Sequence, residues 1–130
     1  MNQQDQALAQ AIAQDLQDSA SLINGRKFSS VYFGGGTPSL TSIDAMKEIL
    51  EAIKQYPLDE NIEITFEMNP RDVTKEKLRS LTKIGINRFS LGLQSFHDKE
   101  LIALGRNHDK ASGIKAVNLL QDTNVTIDLM

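Results

Sequence analysis

The chain has 130 residues, 40% hydrophobic and 24% charged, an ordinary globular balance that argues against disorder. A formal charge of −3 and a pI near 5.3 leave no electrostatic footprint for nucleic acid or an anionic membrane, and no apolar run is long enough to insert in a bilayer. The absence of cysteine excludes disulfides, thiolate zinc sites and a thiolate-held iron–sulfur cluster made by this chain alone. With no signal-peptide h-region at its N-terminus, a cytoplasmic single domain spanning residues 1–130 is expected.

The Gln-rich N-terminal segment places Leu8, Ile12, Leu16 and Ile23, with Ala11 and Ala20, on one helical face, which predicts a helix from about Gln4 to Leu22 closed by Asn24-Gly25. A short apolar strand over Ser30–Gly34 runs into Gly34, Gly35 and Gly36, followed by Thr37-Pro38-Ser39. Three glycines weaken a strand end, so bare backbone is wanted there, either against a ligand or for a tight strand–helix turn. Thr41 or Ser42 caps the next helix, whose buried stripe is Ile43, Met46, Ile49, Leu50 and Ile53, and Pro57 ends it.

Residues 62–70 alternate strictly and form the clearest strand. Thr74 caps a helix through Leu78, Leu81 and Ile84, closed by Gly85. Residues 88–94 alternate again; a short helix near 99–104, a longer one over 109–121 and a last strand from Val125 to Met130 complete the chain. Strands separated by helices call for a parallel sheet with right-handed crossovers, hence an α/β fold. One strand face is apolar and the other carries Glu63, Thr65, Glu67 and Asn69, then Arg88, Ser90, Gly92 and Gln94, then Thr126 and Asp128. A parallel sheet is normally covered on both faces. The polar face therefore predicts part of a TIM-type barrel, about four βα units open at both edges, with a polar ligand on the inner face.

Glu67, Gln94 and Asp128 sit near the C-terminal ends of their strands, as do the glycines, and that rim is where parallel βα folds bind ligands. Carboxylates accept from ammonium and hydroxyl groups and an amide does both, which suits an amino acid, a ribose or a molecule with both. Salt bridges from Glu67 and Asp128 to Arg88 or Arg106 are the structural alternative. Arg106 follows the short helix and its fork suits a carboxylate. His97 and His108 lack partners at metal or triad spacing and read as surface or capping residues.

Residues 32–39, Glu67-Met68-Asn69-Pro70, residues 85–96, Leu104-Gly105-Arg106-Asn107-His108 and Ile127-Asp128-Leu129 occur in register. Together they resemble the oxygen-independent coproporphyrinogen III oxidase family of radical S-adenosylmethionine (SAM) proteins, with 94–96 and 104–106 closer to its heme-chaperone branch. The resemblance implies that Gly35, Gly36 and Thr37 meet the methionine end of SAM through backbone groups and that Glu67 lies beside that moiety. It further implies that Arg106 pairs with the methionine carboxylate and that Gln94 and Asp128 hold the ribose hydroxyls. It implies SAM and a [4Fe–4S] cluster as cofactors of an intact parent, with a porphyrin or heme as its further small-molecule partner.

One departure stands out: the family holds its cluster through a Cys-x-x-x-Cys-x-x-Cys loop, and this chain has no cysteine. The chain is therefore read as a fragment carrying the second to fifth barrel strands, inactive alone, whose open sheet edges favour a homo-oligomer. The alternative is a non-catalytic SAM- or nucleotide-binding module that has lost the cluster naturally.

Overall fold

Alternating strands and amphipathic helices produce the expected α/β order. In the structure, a computed structural model that describes residues 2–130, β1 (Phe28–Phe33), β2 (Leu58–Met68), β3 (Arg88–Gln94) and β4 (Val125–Leu129) form one sheet in the order β1-β2-β3-β4. β2, β3 and β4 run parallel, with Glu67 beside Ser90 and Gly92 beside Asp128. Helices α1 (Gln3–Asp18) and α2 (Ala20–Ile23) precede β1, α3 (Ile43–Ile53) joins β1 to β2, and α4 (Lys75–Ile84) joins β2 to β3. Two helices, α5 (Asp98–Ala103) and α6 (Lys110–Leu120), join β3 to β4.

The chain divides into two compact units. The first gathers the chain up to Val31 with Thr41–Glu63. Its core is α3 packed on α1, with Ala45, Met46, Ile49, Leu50 and Ile53 buried and Ala9 fully buried opposite. Ser42 caps α3 through its hydroxyl, 3.4 Å from Ala45 N, while its own N–H reaches Asp5 on α1 at 3.2 Å. Tyr56 donates to Leu16 O at 2.8 Å and stacks edge-on against Phe28.

Here the structure corrects the expected helical stripe. Ile12, Leu16 and Ile23 turn inward as expected, but Leu8, Ala11 and Ala20 are exposed, and Ala9 and Ala13 take the inward positions instead. Ala9 and Ala45 both have no exposed surface, so each packing helix contributes a small buried side chain. The predicted single helix also breaks at Ser19. β1 and β2 each begin earlier than expected, because Phe28 N–H bonds Pro57 O at 2.9 Å and extends the ladder.

The second unit comprises Tyr32–Leu40 and Ile64–Met130. Phe66, Leu81, Ile86, Phe89, Leu91, Leu93, Leu101 and Leu120 fill its core. Thr74 caps α4 at 3.1 Å from Lys77 N and Gly85 closes it with φ of 116°, both as expected. Thr65 and Ser90 lie on the polar face yet are buried. Arg88 lies over Thr65 and Thr126, donating to both hydroxyls, so long polar side chains rather than helices cover that part of the sheet.

Candidate functional site

The second unit carries a cleft of about 200 Å³ at the C-terminal ends of its strands. Its walls are Gly36 to Ser39 after β1, Glu67 to Asn69 from β2, Ser90, Gly92 and Gln94 from β3, Arg106 after α5, and Asp128 from β4. Six of the seven expected site residues line it: Gly36, Thr37, Glu67, Gln94, Arg106 and Asp128. The seventh, Gly35, acts from behind, its N–H donating to Glu67 Oε2 at 3.2 Å. A cleft of this size lies just below the range of whole ligand pockets, so it suits one moiety of a larger molecule.

Glu67 is held from two sides, since Tyr32 OH donates to its other oxygen at 2.8 Å. The Ser90 hydroxyl bonds Asp128 Oδ2 at 3.1 Å. The Tyr32 phenol feels both groups: the Ser90 hydroxyl lowers its pKa, while the Glu67 bond, burial and the charges of Glu67 and Asp128 raise it, and the net shift is upward. Two carboxylates, one on each strand flanking β3, thus line one cleft.

Arg106 crosses that cleft. Its Nη2 donates to Asn69 Oδ1 at 3.0 Å and to Gly92 O at 2.9 Å. Gly92 makes room for it, as a Cβ there would lie 3.3 Å from Nη2. Both acceptors are neutral, and among the described residues no carboxylate pairs with Arg106, so the structural alternative of an Arg106 salt bridge is not what forms. Its Nε is buried with no partner among the described residues. A guanidinium met only by neutral acceptors keeps its preference for a carboxylate.

Gln94 sits in an unusual backbone. Its φ is +69°, and Ser95 N–H bonds Leu93 O at 2.9 Å across it. A bond from residue i to i+2 around a positive φ is the classic γ-turn, rare and strained, in a region that costs on the order of 1–3 kcal/mol. The β3–β4 register also shifts between Gly92 and Gln94.

His108, expected as a surface or capping residue, is neither exposed nor a cap in the structure. It is 4% exposed, its Nε2 lying 3.0 Å from the same Leu93 O. A carbonyl only accepts, so Nε2 carries the proton, and Nδ1 is a bare buried acceptor. Burial holds the imidazole pKa below its usual value, with the Arg106 charge adding to that, against the upward pull of the Leu93 bond and Asp109. Only alternation would mark a buried ring, and the loop Gly105-Arg106-Asn107-His108 has none.

The residues present fit one of the two groups that the resemblance implies and not the other. For SAM the cleft fits: an arginine without an anion, two carboxylates and an amide face one space. For a [4Fe–4S] cluster it does not. The chain has no cysteine, and among the described residues no group of three or more His, Asp or Glu side chains gathers to hold a metal.

Relatives bear on the same region. The chain is 42% identical over 127 residues to the heme chaperone HemW of Haemophilus influenzae, covering 95% of this chain and 33% of that protein. It is 42% identical over 119 residues to the mitochondrial radical S-adenosyl methionine domain-containing protein 1 of Dictyostelium discoideum, covering 85% and 26% respectively. The chain thus spans about a third or less of the curated relatives it matches. Among solved structures, coproporphyrinogen III oxidase (HemN) of Escherichia coli, a radical SAM enzyme, superposes with a TM-score of 0.83. That match covers 99% of this chain and 31% of that one at 24% identity, and establishes the shared fold. Residues 12–130 match the family described as the radical SAM superfamily, and the chain belongs to it.

Proposed function

We propose that the chain supplies part of the SAM-binding rim of a radical SAM protein of heme metabolism. The observation that carries this reading is the unpaired Arg106 guanidinium sharing one cleft with Glu67 and Asp128. Arg106 would receive the methionine carboxylate, and Glu67, fixed by Tyr32 and Gly35, would face the ammonium end. Gln94 and Asp128 would hold the ribose hydroxyls, with Gly36 and Thr37 as backbone walls. The cleft's two carboxylates outnumber its one guanidinium, so it carries one net negative charge, complementary to the net positive charge of zwitterionic SAM with its sulfonium.

When bound in a whole protein, SAM supplies radical chemistry. This chain's own residues bind and orient it, and among the described residues none form a ligand set for a cluster. Relatives at 34–42% identity are named heme chaperones, which favours heme or porphyrin handling for the parent. In that parent the four strands would be the second to fifth of the barrel.

Isothermal titration of the 130-residue chain with SAM tests the binding reading. Weak but saturable binding is expected, and Asp128→Ala and Gln94→Ala should reduce it more than Arg106→Ala. Loss confined to Arg106→Ala would show that the ribose assignment is wrong, and no binding of SAM, adenosine or methionine would refute the rim.

A further inference from the structure

We infer that His108 is a positioning residue that fixes Gln94 in its left-handed turn and so aims the Gln94 amide into the cleft. Three observations converge on this. First, Gln94 adopts a φ of +69° although it is not glycine, at the one register shift between β3 and β4. A residue stays in such a region only where its surroundings over-determine it. Second, Leu93 O, the carbonyl at the start of that turn, accepts two hydrogen bonds, from Ser95 N–H at 2.9 Å and from His108 Nε2 at 3.0 Å. The first closes the turn; the second holds its carbonyl from another segment of the chain. Third, His108 is itself buried, at the end of the loop after α5 and next to Asp109, the N-cap of α6.

Other holders of the turn are weaker candidates for this role. Met130 N–H reaches Gln94 O at 2.9 Å, but Met130 is 84% exposed and bonds the carbonyl after the turn. The Ser95 hydroxyl bonds Glu100 and accepts from His97 N–H, which orders the segment leaving the turn. Among the described residues, only His108 grips the Leu93 carbonyl with a buried side chain. With that bond gone, one lone pair of a buried carbonyl loses its partner, and the Leu93–Gln94 peptide is free to rotate toward an ordinary extended φ. The Gln94 side chain would then leave the position it shares with Arg106 and Gly92.

The conformational part stands without any ligand; the ligand part rests on the ribose assignment proposed above. His108→Phe keeps a ring in the site and removes the donor, and His108→Gln restores a donor near the Nε2 position. Backbone chemical shifts and the amide–Hα coupling of Gln94, measured by NMR on the full 130-residue chain without ligand, report φ directly. The expected result is a positive φ in wild type and His108→Gln and an extended one in His108→Phe. A folded His108→Phe chain with Gln94 still at positive φ overturns the proposal.

Wild type alone offers a second test should the Phe variant fail to fold. Imidazole nitrogen shifts must show the proton on Nε2; a proton on Nδ1 leaves nothing to donate to Leu93 and overturns the proposal. Titration with adenosine and with methionine then separates the two readings. A loss on the order of tenfold for adenosine in His108→Phe, the scale of one hydrogen bond to two, with methionine unchanged, supports both. Equal adenosine affinity in wild type and His108→Phe despite a relaxed turn refutes the ribose role of Gln94 and leaves the positioning of the turn intact.

Discussion

A methyl group on Gly34 would lie 2.9 Å from the Glu67 carboxyl carbon and 2.6 Å from a Tyr32 ring carbon, too close for either to stay. The three glycines of the motif therefore do different jobs. Gly34 makes room for Glu67, whereas Gly35 and Gly36 take φ of 75° and 57°, which cost any other L-residue about 1–2 kcal/mol. Gly34→Ala should displace Glu67 and lower SAM affinity on the order of tenfold, the worth of a hydrogen bond to a charged group, in calorimetric titration. The need for close backbone approach was legible in the triplet, but not that its nearest neighbour would be the chain's own carboxylate. His108 and the turn at Gln94 were illegible, because Phe89, Leu91 and Leu93 alternate smoothly up to the turn and Gln carries no signal for positive φ. The buried histidine also sets a pH response. The folded state favours neutral imidazole, so the unfolded chain binds more protons once pH falls below about 6.5. Stability should be full above that value and decline as pH drops through it toward the lower folded pKa. Asp109, whose pKa is depressed by its bonds to Ser112, loses its contribution only as pH falls below about 3.8, so the upper window belongs to His108. Urea denaturation from pH 8 to 5 should show that slope in wild type and a flat profile in His108→Gln.

Helix α6 contains Gly113, and replacing a mid-helix glycine with alanine ordinarily gains up to about 1 kcal/mol. Here a Cβ would meet Leu93 Cδ1 at 2.6 Å, and Leu93 is fully buried. Overpacking a filled core costs about 1–3 kcal/mol, so the clash outweighs the propensity and Gly113→Ala should be net destabilising. Chemical denaturation of wild type and variant decides the sign; a more stable variant would mean that Leu93 repacks freely. At this scale most of the architecture could be read from the sequence. The bounds of β3, the Thr74 cap and the Gly85 terminus follow directly from alternation and capping chemistry. The stripe of α1 could not, because Ala9 and Leu8 compete for one face and only the partner α3 decides between close approach and larger apolar area.

In the sheet order β1-β2-β3-β4 the outer strands are β1 and β4, and Leu129 and Met130 are 63% and 84% exposed. Unpaired strand edges template further pairing, and a specific contact buries roughly 1,000 Å² or more. Size-exclusion chromatography with light scattering should therefore report more than one chain per particle, and a clean monomer at high concentration would count against edge pairing. Among the described residues no helix is long and apolar enough to cross a membrane. The same strand order sets how the chain folds. Each strand lies beside the one before it in sequence, so no strand is inserted between two others. Each pairing closes a segment of one helix, or of two between β3 and β4, and loop-closure entropy grows only slowly with such lengths. Because each new strand pairs only with its predecessor, the sheet can grow one strand at a time from the N-terminal side, in the order a ribosome would deliver it.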